Sequence, residues 1–402
     1  MSEFSIRDKC KINTNRNADT FVGVTCQNGD ISVHFPLGYR VSDDDKNLRK
    51  DIILLISTIE STIGHRKSGI LNNAEYYNHT GLPIQAYLSV IYDYYMRGYY
   101  REREIEYNVS ERGKINWNRT IKTQKPVIQD NEVYYLDFVT RKNIINETEL
   151  ITLIHELCVY ESFGKIGWLF TWAMPEKPRI KRNEKMFLSV LKEKLSRTFN
   201  DKNKALFQNM ILIIQNLQNN GASFNYEYGT YRFEYVWEKL IDRVYGIEDK
   251  KAYFPKTAWK VQGNLHNNAV LEPDSIMLMD DKIYVLDSKY YRYGATGNLA
   301  DLPESASISK QITYGEYVEN NIAKGRKVYN AFIMPFDSEY WNSEVIHSVG
   351  EATADWRDNT KIYEHIQAIL IDIKYLMQIT VRGDRGEIGK LAECIEKSAE
   401  GE

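Results

Sequence analysis

The feature that most constrains this chain is the stretch EPDSIMLMDDKIYVLDSKYY, Glu272 to Tyr291. Two apolar runs flank a polar pair, Asp280-Asp281. Read as a two-residue turn, that pair closes an antiparallel hairpin. Met279 then faces Lys282, Leu278 faces Ile283, Ile276 faces Val285, and Asp274 faces Asp287. Directly opposed like charges destabilise a sheet. A divalent cation between them would offset the repulsion. Side chains alternate along a strand, so Lys289 shares the face of Asp287 while Ser288 points away. Two acids and a lysine therefore converge at one sheet end. A register slip of one residue would undo this, because it moves every side chain to the other face. A D-x-K triplet alone also occurs on solvated edges; the added context is the order P-D, strand, turn, strand, D-x-K.

The rest of the chain sets bounds. It has 402 residues, with 52 basic and 55 acidic. That length predicts two or three domains with ample core. Near-neutral charge means that any nucleic-acid surface must be local. There is no run of about 18 apolar residues, so no membrane span is expected. The start, MSEFSIRDKC, lacks a signal-peptide core. Cys10, Cys26, Cys158 and Cys394 show no zinc or disulfide spacing, which fits a reducing, cytoplasmic setting.

Several elements are legible. FVGVTCQNGDISVHF reads as a hairpin around Asn28-Gly29. Helices are expected over Lys46–Thr62, Pro83–Tyr99, Glu147–Phe163, two within Asn183–Leu217, then Tyr231–Val244, Ser307–Asn320 and Lys361–Gln378. Strands are expected over Val133–Val139 and Lys327–Met334. A composition change at Asn219–Tyr228 suggests a boundary between an α+β N-terminal domain, 1–218, and an α/β C-terminal domain, 219–402. On the helix before the hairpin, Glu234 and Glu238 lie one turn apart and can share a face. Either could reach the paired aspartates.

Pro273-Asp274 with Asp287-Ser288-Lys289 resembles the motif of the PD-(D/E)XK nuclease superfamily over about residues 228–378. The resemblance implies a mixed sheet flanked by helices, with Glu234 or Glu238 on the acidic helix and Lys310 and Gln311 on the helix after the core strands. FPLGY (Phe35–Tyr39), IYDYYMRGYY and GKINWNRTI (Gly113–Ile121) are similar to the LlaJI family of restriction endonucleases, relatives of the McrC subunit of modification-dependent restriction. This implies the cleavage subunit of a restriction system acting on double-stranded DNA. It also implies a GTP-hydrolysing McrB-like AAA+ ring partner. The chain has no phosphate-cradling loop of its own. In DRGEIGKL, Asp384 replaces the first glycine and Leu391 the metal-binding hydroxyl, and the segment reads as a charged tail.

The chemistry expected is Mg²⁺-dependent phosphodiester hydrolysis, with Mn²⁺ as substitute. Asp274 and Asp287 would be ligands, with Glu238 as third acid ahead of Glu234 and the Ser288 carbonyl as a further donor. Nearby carboxylates oppose the lowered pKa that a lysine base needs, so Lys289 is assigned to orientation and charge stabilisation. Gln311 would help place the nucleophile or a phosphate. Trp117 and Arg119 are candidates for partner docking or phosphate contact. Lys177, Arg179, Lys181 and Arg182 could bind DNA backbone or form a solvated loop. His266, in a loop, could touch DNA. His155-Glu156 lacks the second histidine of a zinc helix, since Val159 stands there, and reads as a packed helix histidine. Two alternatives accompany the endonuclease reading: an adaptor that stimulates a ring NTPase, and a non-specific repair or defence nuclease. Double-strand cutting needs two active sites or two passes, which a dimer or higher assembly would supply.

Overall fold

The computed structural model describes residues 5–16, 19–63, 82–130, 132–145, 149–171, 173–220, 225–268, 270–385 and 387–400. Residues 221–224, within the expected boundary segment, lie outside them. The chain divides into two compact units, one of residues 1–80 with 225–402 and an inserted one of 81–224. A cut at 218/219 therefore falls near one edge of the inserted unit, while the first 80 residues belong with the C-terminal half.

The split unit begins with β1 (Cys10–Ile12), β2 (Val22–Gln27), β3 (Asp30–Phe35) and α1 (Asp45–Ile63). Asn28 and Gly29 both take positive φ, as the tight turn between β2 and β3 requires.

The inserted unit follows with α2 (Ile84–Arg97), entered through Pro83, whose ring suits a helix start. Next come β4 (Arg103–Val109), β5 (Lys114–Ile115), α3 (Trp117–Thr123), β6 (Pro126–Gln129), β7 (Glu132–Tyr135) and β8 (Val139–Ile145). The strands form a three-stranded sheet in the order β4-β8-β5 and a separate β6-β7 hairpin. Three helices complete the unit: α4 (Leu150–Ile166), α5 (Glu184–Arg197) and α6 (Asp201–Asn220). α4 is apolar around most of its circumference, as a helix packed on several sides must be.

The chain then returns to the split unit. β9 (Tyr226–Thr230) pairs with β2 and completes a sheet in the order β1-β3-β2-β9. α7 (Phe233–Tyr245) buries Phe233, Val236, Trp237, Leu240 and Ile241. A ribbon of β10 (Ala258–Val261) and β11 (Asn264–Asn267) precedes β12 (Ser275–Met279) and β13 (Lys282–Ser288). After these come α8 (Tyr293–Thr296), α9 (Ser305–Asn321), β14 (Lys327–Phe336), α10 (Ser338–Trp341), β15 (Ile346–Ala352), β16 (Ile366–Asp372), α11 (Ile373–Arg382) and α12 (Ile388–Glu400). The central sheet runs β12-β13-β14-β16-β15. Its three inner strands are parallel and both edge strands antiparallel.

Two expectations need correction here. Lys361–Gln378 is not one helix. Its first part forms β16, a buried central strand, and only then does Asp372 cap α11 by accepting the Tyr375 N–H at 2.8 Å. Ala368 to Ile371 is a short apolar run within IQAILID, which period alone cannot assign to strand or helix. The segment after Asp384 is not a charged tail: α12 buries Leu391, Ala392 and Ile395, and Lys390 is ion-paired with Glu387 at 2.8 Å. No helix among the described residues is long and apolar enough to cross a membrane.

Candidate active site

The β12–β13 register pairs Met279 with Lys282, Leu278 with Ile283 and Ile276 with Val285. Asp280 takes the left-handed conformation that a two-residue turn needs and that aspartate tolerates. Asp274, one residue before β12, and Asp287, near the end of β13, are thereby brought to the same sheet end. One Asp274 oxygen accepts the Ser288 N–H at 2.7 Å, which fixes its direction. Asp287 is 4% exposed. Lys289 reaches it at 2.5 Å, and its own N–H is held by the Ile333 carbonyl at 2.8 Å.

α7 supplies the next acid. Trp237 donates its indole N–H to the same Ile333 carbonyl at 3.2 Å, so the helix is clamped onto β14 beside the carboxylates. Burial and the charges of Asp287 and Glu234 push Glu238 up to about 7. Burial, Asp287 and Glu238 likewise raise Asp274, against the Ser288 hydrogen bond and Lys289. Glu234 is ion-paired with Arg232 at 2.9 Å, which separates the two candidates: Glu238 is the acid coupled to the aspartates. Burial pulls Lys289 down, but Asp287 and Asp274 outweigh it and hold the ammonium above its ordinary value. A lysine in that state is a cation and donor, not a base. Among the described residues no three His, Cys, Asp or Glu side chains converge as a metal-holding group. The aspartates thus form a two-carboxylate pair on which Glu238 acts through its charge.

The helix after β13 divides its roles differently from expectation. Gln311 is buried and donates to the Val285 carbonyl at 2.8 Å and to Asn330 at 3.3 Å. It tethers α9 to the sheet. Gly315 allows this approach, since a Cβ there would stand 2.4 Å from the Asn330 amide. Lys310, its neighbour, is the residue whose charge interacts with Asp287 and Asp274, and its ammonium lies 5.4 Å over the Tyr314 ring. Tyr314 in turn donates to the Glu272 carbonyl at 3.0 Å and so holds the segment leading into Asp274. The signal for Lys310 was its place beside Gln311; what sequence could not supply was which of the two faces the acids. The N-terminal FPLGY segment also supports the site: the Leu37 N–H donates to the Tyr290 hydroxyl at 2.7 Å, just past Lys289.

The remaining candidates scatter. Trp117 opens α3, half exposed, edge-on to Phe138. The Arg119 guanidinium lies 3.8 Å over the Tyr107 ring. Lys177, Arg179 and Lys181 are exposed in a loop, but Arg182 is ion-paired with Glu161, a buried acid of α4. Arg182 is an anchor, not part of a free basic run. His155 is fully buried, accepts the Tyr100 N–H at 2.8 Å, and burial lowers it to about 4. His266 lies on β11, not in a loop.

A mixed five-strand sheet flanked by helices, with Pro-Asp before one strand and Asp-x-Lys ending the next, defines a PD-(D/E)XK restriction-endonuclease-like domain. The chain belongs to the LlaJI restriction endonuclease family, whose model matches residues 21–371. It is 26% identical over 285 residues to the type II restriction enzyme BsuMI component YdjA of Bacillus subtilis (strain 168), covering 66% of this chain and 61% of that protein. Among solved structures, it matches a chain of the half-complex of Thermococcus gammatolerans McrB AAA+ hexamers with bound McrC. That match has a TM-score of 0.38 and 14% identity, covering 91% of this chain and 82% of the other.

Proposed function

We propose that this restriction-endonuclease-family chain is the DNA-cleaving subunit of a restriction system and that the sheet end of Asp274, Asp287 and Lys289 hydrolyses phosphodiesters. The observation that carries this reading is charge crowding at one sheet end: Asp274 is tied to the Ser288 N–H beside Asp287, Lys289 is ion-paired with Asp287, and the charge of Glu238 on α7 acts on the same carboxylates. Structural ion pairs are not normally built with acids in excess, and perturbed groups of this kind cluster at functional sites. The donor set is all oxygen, as Mg²⁺ or Mn²⁺ prefers, and two carboxylates with waters suffice for Mg²⁺. Asp274 and Asp287 would hold the cation, and Glu238 would reach it through water. A bound divalent ion there lowers the pKa of water and neutralises phosphate charge. Lys289, held protonated, orients the attacking water and stabilises charge on the phosphoryl oxygens. Lys310 adds a second cation toward the same aspartates.

Partnership with a nucleotide-hydrolysing ring is part of the proposal. The similarity of the LlaJI family to McrC motivates it. The inserted unit is compatible with it: Trp117, Ile121, Ile128 and Leu136, close together in sequence, are all exposed and could be covered by a docked partner. The same observation favours the adaptor reading, and the two coexist if docking and cutting lie in different units. Plasmid cleavage by the purified chain and its Lys289→Ala variant, with Mg²⁺ or Mn²⁺ and with or without the ring protein and GTP, separates them. Cutting that needs Lys289 supports the nuclease. Stimulation of GTP hydrolysis without cutting in any condition supports the adaptor alone.

A further inference from the structure

The β10–β11 ribbon serves no packing purpose. All eight of its residues are exposed, on both faces. Trp259 is 64% exposed and Leu265 69%. A lone two-stranded ribbon without a buried face is marginal in water. Its register places Trp259 opposite His266 and Val261 opposite Asn264 on one face, with Lys260 opposite Leu265 on the other. A two-residue turn, Gln262-Gly263, forms the tip.

Its composition is one-sided. Acidic residues outnumber basic ones in the whole chain, 55 to 52, yet no Asp or Glu occurs from Pro255 to Leu271. That segment carries Lys256, Lys260, His266, Gln262 and three asparagines. Cations and amides are the groups that contact phosphates and base edges.

Its root is fixed to the candidate active site. The Asn268 N–H donates to the Thr257 carbonyl and the Leu271 N–H to the Pro255 carbonyl, both at 2.9 Å. Leu271 packs on the core, and the next residue, Glu272, is held by Tyr314. Asp274 follows two residues later.

Resting on the nuclease reading above, we infer that this ribbon is a duplex-DNA-binding element that lies in a groove and delivers the phosphodiester to Asp274 and Asp287. A β-ribbon fits the major groove. Lys256 and Lys260 bind phosphates, His266 and the amides face the groove, and Trp259 gives an apolar contact that fixes register.

The test uses the full chain with a labelled duplex in Ca²⁺, read by fluorescence anisotropy across a salt series, beside plasmid cleavage in Mg²⁺. The variants are Lys256→Glu/Lys260→Glu and Trp259→Ala. Exposed positions leave the fold intact, which a thermal melt checks. The double reversal is expected to weaken binding about tenfold or more and to flatten the log–log salt slope by about two. Trp259→Ala is expected to weaken it about fivefold. Both raise KM in cleavage and leave kcat unchanged. Variants that bind and cut like wild type overturn the ribbon's role and leave the nuclease reading standing. Variants that bind DNA normally but lose stimulation by the ring protein overturn it in favour of a protein contact. A wild-type chain that neither binds nor cuts DNA under any condition overturns both readings.

Discussion

Two regions of this molecule bury charge, and they balance it in opposite ways. In α4 of the inserted unit, Glu161 is 1% exposed and meets cations in excess: Arg182 is paired with it, and Lys165 and Lys177 act on it by charge. At the sheet end where β12 starts and β13 finishes, acids are in excess, and Lys289 is ion-paired with Asp287. The first arrangement anchors a loop to a helix. Burial raises the carboxylates of both, but in α4 the cations work against that rise, whereas at the sheet end neighbouring acids add to it, a cost in stability that a bound cation would remove. Removing one partner from each region should therefore have opposite consequences.

The largest expected effect is on cutting. Asp287→Ala or Lys289→Ala should lower plasmid cleavage by about 10³-fold or more while thermal unfolding stays cooperative. A variant that loses its fold together with its activity would make the site structural. Arg182→Ala should leave cutting by the folded protein unchanged. It should destabilise by about 3 kcal/mol in a denaturant titration, because a buried carboxylate loses its partner. An effect near zero would show that Lys165 and Lys177 compensate Glu161 without Arg182.

Histidine chemistry sharpens the same contrast. His155 is neutral in the fold and titrates near 4 rather than 6.5. The unfolded chain takes up that proton first, so its contribution to stability is complete above pH 6.5 and declines as pH falls toward 4. The loss should reach roughly 3 kcal/mol by pH 4, read from unfolding at a series of pH values. His155→Gln, which retains an acceptor for the Tyr100 N–H, should flatten that dependence. The smallest effect carries the opposite sign. Asp274→Asn, measured without divalent metal, should stabilise the protein by about 1 kcal/mol, as relief of a functional strain does. Destabilisation would mean that the Ser288 hydrogen bond outweighs the crowding.

Much of this site was legible because it is local. A two-residue turn fixes every cross-strand pair of its hairpin, so placing Asp280-Asp281 at the turn placed Asp274 beside Asp287. The spacing of Glu234 and Glu238 gave their helix but not their roles; the pairing of Glu234 with Arg232 and the burial of Glu238 beside the aspartates distinguish them. Lys310 and Gln311 are adjacent, and adjacent helical residues point to different faces. Choosing between them needs the position of β13 and β14, where the Val285 carbonyl and Asn330 claim Gln311. β16 was hidden by its uniform burial, which erases the period that marks a half-exposed element. The first 80 residues were assigned to the wrong partner for a reason of distance: β2 pairs with β9 across some two hundred residues of chain, and no local pattern announces such a bond.

The most direct test of the account is a calorimetric titration of Mn²⁺ into the purified chain at pH 7, repeated with Asp287→Asn. Wild type should bind the ion and release protons, because Glu238, raised to about 7, and Asp274, raised with it, are partly protonated until a cation arrives. The variant should bind at least about tenfold more weakly, with proton release reduced. Equal binding by both proteins, or no binding by wild type, would contradict the claim that acids crowd this sheet end to hold a catalytic cation.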